Sequence, residues 1–433
     1  MSARRGLSPA ERAALLGKFG QGRPAAAQPA QPSGARDFAT LPAAREVAAA
    51  RQLGRITGMA NPFFQPHDGV ASAHTRIDGR DFINFSSYDY LGLNGDPRLH
   101  EAASEAMARY GVSASASRFV SGERPVHAAF ETALARFLGV DATVAMVSGH
   151  ATNVTTIGHL MGPADLILHD ALVHNSATEG MRLSGARRLG FPHNDHAAAD
   201  ALLRAERGRH GRCLILVEGH YSMEGSVPDL AAFVALARRH DAWLMVDEAH
   251  SLGVLGRTGR GIAEAQGVDP RAVDIWMGTL SKSLCACGGY IAGSHVLVDM
   301  LRHTAPGFVY SVGLPPALAA AAGRALSILE AEPWRVEHLQ RNARLFRHLA
   351  QAAGFDAGQS AGVGIVPIVL GDSLLAVRVA AHLAGQGINV QPIGFPVVPD
   401  GQARLRFFLC ASHTEDDIRR TIEAIRMAAR EAA

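Results

Sequence analysis

The stretch "RCLILVEGHYSMEGSVPDLAAFVALARRHDAWLMVDEAH", residues 212–250, decides how the rest of the chain is read. An apolar run, "RCLILVEG", gives way to a helical pattern and then to a second apolar run, "AWLMVDEAH", and both runs end in polar residues. Strand, helix and strand in that order form the repeating unit of a parallel sheet. The rhythm continues outward: "TVAMVS" and "DLILHD" precede the stretch, and "VDIWMGTL" and "GGYIAG" follow it. The expectation is an α/β fold built on a mostly parallel sheet.

The composition suits such a core. Of 433 residues, 48 % are hydrophobic and 19 % charged, and a net charge of +2 argues against nucleic acid as the main partner. Four cysteines do not make a disulfide framework, and a lone C-x-C lacks the second pair of ligands that zinc requires. No apolar run reaches the ~18 residues of a membrane span, and no hydrophobic segment follows the N-terminal arginines as in a secretory signal. These features point to a reducing cytoplasm.

Residues 1–45 divide into "LSPAERAALLGKF", a short helical pattern, and a Pro/Ala-rich linker. An N-terminal segment is expected over 46–95 and a large domain over 96–315. A smaller α+β domain is expected over 316–433, with strands "GIVPIVLG", "GINVQPI" and "ARLRFFLCAS" and a closing helix from about Thr414.

In open α/β sheets ligands bind beyond the carboxyl ends of the strands, so "VEGHYSMEG", "VDEAH" and "GTLSK" are expected to meet at one site. The last of these holds Lys282. Among 42 basic residues only Lys18 and Lys282 are lysine, and arginine cannot serve as a nucleophilic amine. A lysine kept between apolar runs suggests a Schiff base with an aldehyde cofactor, and pyridoxal phosphate would then need further partners. Asp247, ending "AWLMVD", suits the protonated ring nitrogen, and it suits a helix N-cap equally. His250 can reach the ring oxygen. Ser148, Gly149 and His150 follow a strand and open a helix, where a phosphate is favoured, with Thr279 and Ser281 adding hydroxyls. His174 is a candidate flat partner for the ring. No G-x-G-x-x-G follows a strand and no P-loop motif is present.

Together "NFSSYDYLGL", "SGHATN", "HDALVHNS", "EGHYSMEG", "VDEAHSLGVLGRTGRG", "GTLSKS" and "ARLRFFLCASH" resemble, in order over roughly residues 80–425, the α-oxoamine synthase family of fold-type I pyridoxal-phosphate enzymes. The resemblance implies a large domain with a mostly parallel seven-stranded sheet, a smaller C-terminal α+β domain, and a homodimer with active sites at the interface. It implies that Lys282 carries the cofactor, Asp247 pairs with the ring nitrogen, His250 contacts the ring oxygen and His174 stacks on the ring. Gly149, His150, Ser222 and Thr279 match further cofactor contacts, and Ser311 matches a residue reaching the neighbouring subunit's phosphate. Arg406 matches the arginine that grips the amino-acid carboxylate.

The reaction implied is decarboxylative condensation of Ser, Ala or Gly with an acyl thioester, giving an α-amino ketone, carbon dioxide and free thiol. An aminotransferase, and a partner subunit without catalysis, are the alternatives; such subunits typically lack the lysine. Tyr88 stands where synthases using glycine or alanine often have asparagine, which points toward serine. No arginine lies between Pro392 and Gly401, where bacterial serine palmitoyltransferases have one. Cys410 replaces a substrate-touching threonine of the biotin-pathway enzyme. Alanine and serine replace glycines in "VSASASRFVSGE", a change expected to narrow the acyl path. The N-terminal extension resembles the linkers of modular assembly lines, which suggests an acyl carrier protein as donor.

Overall fold

In the computed structural model, which describes residues 36–57 and 61–432, the apolar runs become one seven-stranded sheet. The chain divides into two units, Met1–Asn61 and Pro62–Ala433. In the first, a short turn at Phe38–Thr40, capped by the Asp37 side chain, leads into the helix Pro42–Thr57. The segment "LSPAERAALLGKF", expected to be helical, lies outside the described residues.

The second unit holds strands β1 (His67–Asp68), β2 (His74–Ile77), β3 (Arg80–Asn84), β4 (Ala142–Met146), β5 (Leu166–Asp170), β6 (Arg187–Phe191) and β7 (Cys213–Glu218). After these come β8 (Trp243–Asp247), β9 (Ile275–Thr279), β10 (Gly289–Gly293), β11 (Ile365–Gly371), β12 (Ile388–Asn389), β13 (Gln391–Ile393) and β14 (Ala403–Phe408). The large sheet has the order β4-β10-β9-β8-β7-β5-β6, and β10 alone runs against its neighbours.

Alternate residues of its strands feed two cores. Leu214, Leu216, Met245 and Met277 face one side, while Ile215, Val217, Leu244 and Val246 face the other. A strand buried on both faces needs a continuous apolar run, and all six residues of β7 are buried. The edge strand β6, "RRLGF", gives no such signal: Arg187 and Arg188 point to solvent and only Phe191 is buried.

The smaller part has a three-stranded antiparallel sheet, β11-β14-β13, under the helices Trp334–Ala352, Ser373–Gly385 and Glu415–Ala432. Phe407 anchors its core against Phe85 and Phe346, with ring centroids 5.3 and 4.6 Å away. "GINVQPI" is not one strand. The chain changes sheets at Val390: β12 pairs in parallel with β3, and β13 pairs with β14. Buried Asn389 donates to buried Asn84 at 2.9 Å, which fixes that exchange.

Candidate active site

Parallel strands end together, and this brings Glu218, Asp247 and Thr279 to one edge of the sheet. Two reversals, β9 to β10 to β4, bring the end of β4 to the same edge. There Ser148 caps the helix Gly149–Leu160 by accepting the Ala151 N–H.

The Asp247 carboxylate is buried. Its Oδ1 accepts the N–H of Ala249 at 2.9 Å, a cap-like bond although no helix follows. Its Oδ2 accepts from the Asn153 amide at 2.8 Å, and the same amide donates to Ser176 Oγ at 2.9 Å. Lys282 follows β9, and its Nζ makes no hydrogen bond among the described residues. The amine sits 5.5 Å from the ring centroid of Tyr88, itself partly exposed. Burial lowers its pKa from 10.5 to about 8; the carboxyls of Asp247 and Glu218 pull it upward, and the charge of Arg406 pulls it down.

His250 is buried, and its Nδ1 is hydrogen-bonded to the Tyr90 hydroxyl at 2.7 Å. Its ring lies parallel to Phe408 at 6.1 Å. Burial, and then the nearby charges of Lys282 and Arg406, hold it well below the ordinary histidine value, so it is neutral. His174 caps the helix Asn175–Ser184, with its Nδ1 2.7 Å from Ser176 Oγ. Burial also lowers its pKa, opposed by Asp247. The exposed His150 ring stands 6.5 Å from it.

Thr279 Oγ1 lies 2.8 Å from Ser281 Oγ and donates to the Gly288 carbonyl at 3.0 Å. A Cβ on Gly149 would sit 2.8 Å from that Thr279 oxygen, so the helix mouth and the two hydroxyls share one small cradle. Arg406 Nη1 donates to the Ser222 carbonyl at 3.0 Å, and its guanidinium lies over Phe408 at 4.5 Å. Its buried Nε has no partner among the described residues.

Two other sequence candidates stand apart from this group. The Cys410 thiol faces Ser72 and Ser412 and is pushed up to about 12 by burial. The Ser311 hydroxyl donates to the carbonyl of its neighbour Val312 at 3.3 Å.

The structure also brings in residues that sequence patterns do not single out. Glu218 ends β7 as Asp247 ends β8, and this shared position at the end of an apolar run is the signal that marks it. Asn153 lies one helical turn beyond Gly149, on the same face. Nearby, Asp170, His193 and Ser226 are joined as in a hydrolytic triad: His193 Nδ1 is 3.0 Å from Asp170 Oδ1 and its Nε2 is 2.8 Å from Ser226 Oγ. Ser226 is buried, so the trio braces the loop carrying Ser222 and presents no nucleophile.

This set of groups fits pyridoxal phosphate. A half-buried amine with no hydrogen bond among the described residues, a fixed buried carboxylate, a neutral imidazole and a glycine-lined helix mouth with two hydroxyls supply what an aldehyde, a pyridine nitrogen, a ring oxygen and a phosphate each require.

Comparison with known proteins agrees. Residues 80–425 match the family described as aminotransferase class I and II. The 8-amino-7-oxononanoate synthase of Geobacter sulfurreducens is 42% identical over 359 residues, covering 82% of this chain and 91% of that protein. The corresponding enzyme of Symbiobacterium thermophilum is 39% identical over 355 residues, 82% of this chain and 90% of its own. Among solved structures, Sphingomonas wittichii serine palmitoyltransferase superposes with a TM-score of 0.86 at 30% identity, covering 92% of this chain and 99% of that one. The Francisella tularensis 8-amino-7-oxononanoate synthase gives 0.71 at 26%, covering 81% and 98%. The chain belongs to the α-oxoamine synthase family, acyltransferases that depend on pyridoxal phosphate and share the aminotransferase class I and II fold.

Proposed function

We propose that this chain condenses a small amino acid with an acyl thioester, releasing carbon dioxide and free thiol and leaving an α-amino ketone. The observation that carries the reading is the half-buried amine of Lys282, without a hydrogen bond among the described residues and within the fields of Asp247 and Arg406. Pyridoxal phosphate would be held by Lys282, by Asp247 at its ring nitrogen, by His250 at its ring oxygen and by His174 on its face. Gly149, His150, Ser222, Thr279 and Ser281 would surround its phosphate, with Ser311 entering from the second subunit of a homodimer. When bound, the cofactor supplies an electron sink for the pair left at the amino acid's Cα.

The protein's own groups account for the rest. An amine with a pKa of about 8 can both take a proton from Cα and return it near neutral pH. Arg406, one N–H already given to Ser222 and its Nε unused, has donors left for a carboxylate. Tyr88 stands across from Lys282, close enough to sort amino acids by their side chain, and serine is the expected choice. Between Pro392 and Gly401 the chain presents exposed Phe395 and Val397 and no arginine, which sets its acyl pocket apart from that expected of bacterial serine palmitoyltransferases.

The relatives are synthases, and an aminotransferase is not favoured. Among the described residues no helix is long and apolar enough to cross a membrane, and four free thiols support a cytoplasmic setting. The N-terminal extension supports an acyl carrier protein as donor.

Purified protein given Gly, Ala or Ser with acyl-CoA of increasing length should release thiol, fastest with one amino acid, and Lys282→Ala should abolish it. Pyridoxamine formation with a 2-oxo acid, without thiol release, would overturn the reading. Equal rates from acyl-CoA and the acyl carrier protein, unchanged by deleting residues 1–40, would overturn the carrier step alone.

A further inference from the structure

Glu218 is 4% exposed and forms no ion pair among the described residues. At the end of β7, directly beside Asp247 in register, its Oε1 accepts the backbone N–H of His174 at 2.6 Å. That N–H belongs to the N-cap of a helix, where the chain has no internal partner to offer.

The segment between β5 and this helix is held by two buried carboxyl groups. Asp170 accepts the N–H of Leu172 at 2.8 Å and that of Asn194 at 2.7 Å, pinning the start of the segment. Glu218 holds its end. The imidazole of His174 has a separate tether, through Ser176 and Asn153 to Asp247. The ring is thus oriented from the Asp247 side and its backbone is fixed in height by Glu218.

We propose that Glu218 is a positioning residue for this reaction: its bond to the backbone of His174 sets the imidazole at the distance from the sheet at which it can cover the cofactor ring. This rests on the reading of His174 as the ring's stacking partner. Burial, and then the neighbouring Asp247, push the Glu218 carboxyl above the usual carboxylate range, opposed by the His174 N–H and the charge of Lys282; glutamine, which keeps the acceptor oxygen at the same reach, is its near-isostere. What matters is then the reach of the acceptor oxygen, and the charge is dispensable. Glutamine keeps that reach; aspartate keeps the carboxyl but falls short by a methylene.

Titration of the cofactor-free protein with pyridoxal 5'-phosphate tests this, with steady-state kinetics beside it. Glu218→Gln should bind the cofactor within about threefold of the parent, while Glu218→Asp and Glu218→Ala should each bind about tenfold more weakly. In a His174→Ala background, where the ring is gone, Glu218→Ala should add less than about twofold. Glutamine as damaging as alanine, aspartate as good as the parent, or a full tenfold effect persisting without the ring would each overturn the proposal. A His174→Ala protein that binds the cofactor like the parent would instead overturn the stacking role of His174. Because Glu218→Gln preserves size and Glu218→Asp preserves the carboxyl group, the comparison survives if the alanine variant does not fold.

Discussion

Burial brings the amine of Lys282 from 10.5 to about 8, which has a consequence for the cofactor-free protein. Between those values the unfolded chain binds a proton that the folded chain does not, so stability rises with pH across that window. Below about 8 the buried charge costs on the order of 3 kcal/mol. Lys282→Met should therefore stabilise the cofactor-free protein against urea near neutral pH, and the gain should shrink as pH approaches 10.5. Gly149 is the other decisive position. A Cβ there would stand 2.8 Å from Thr279 Oγ1 and 3.1 Å from its Cβ, inside the space a phosphate would use. Gly149→Ala is expected to weaken cofactor binding by about tenfold or more and, because the buried Thr279 side chain must shift, to lower the urea midpoint as well. Lys282, Asp247 and His250 are legible in the sequence because a chemically scarce residue ends or follows an apolar run. Glu218 and Asn153 are harder to read: their partners His174 and Asp247 are 44 and 94 residues away, a separation that only the strand order closes.

Segments follow the same logic one level up. "VSASASRFVSGE" lacks the glycines expected of the family, yet Ser115 adopts a φ of 58°, a left-handed conformation that glycine would enter more easily. The segment is held by Arg118, whose guanidinium is buried between Glu123, at 2.6 Å, and the buried Glu131, also at 2.6 Å; Arg302 completes the group. Arg118→Met removes the centre of that network, leaving the buried Glu131 to Arg302 and the Ala145 N–H and the Glu123 carboxylate without its partner. It should cost about 3 kcal/mol or more in urea unfolding, far beyond an exposed ion pair such as Arg419–Glu415. Strands buried on both faces are plain in sequence as continuous apolar runs, as in "CLILVE". The edge strand β6 hides behind two arginines, and β12 and β13 merge into one apparent strand because nothing in "GINVQPI" marks the change of sheet at Val390.

Across the whole of Pro62–Ala433, buried histidines and buried carboxyls pull the response to acid in opposite directions. His220 and His413 are held at about 4 by burial, against 6.5 when exposed. Below 6.5 the unfolded chain takes up protons that the folded one refuses, so the stability these residues contribute is present above 6.5 and drains away as pH falls toward 4. Near pH 5 these two rings should cost on the order of 4 kcal/mol, offset in part by the buried Glu248, whose carboxyl is raised to about 8 by burial and gains stability as pH falls. The measurement is therefore made against a His413→Gln variant: a variant whose urea midpoint falls between pH 7.5 and 5 as steeply as the parent's would contradict the low pKa of that ring. At this scale the sheet architecture and the meeting of strand ends are legible, because periodicity reports burial and parallel strands share an edge. How the N-terminal strands join the C-terminal part is not, since it depends on two asparagines 305 residues apart. That pairing bears on synthesis. A ribosome adding about 5–20 residues per second leaves the β3 edge without its mate for roughly 15–60 s. During that interval the emerging chain exposes an open strand beside Phe85, so newly made protein should depend on chaperones far more than its finished fold would suggest.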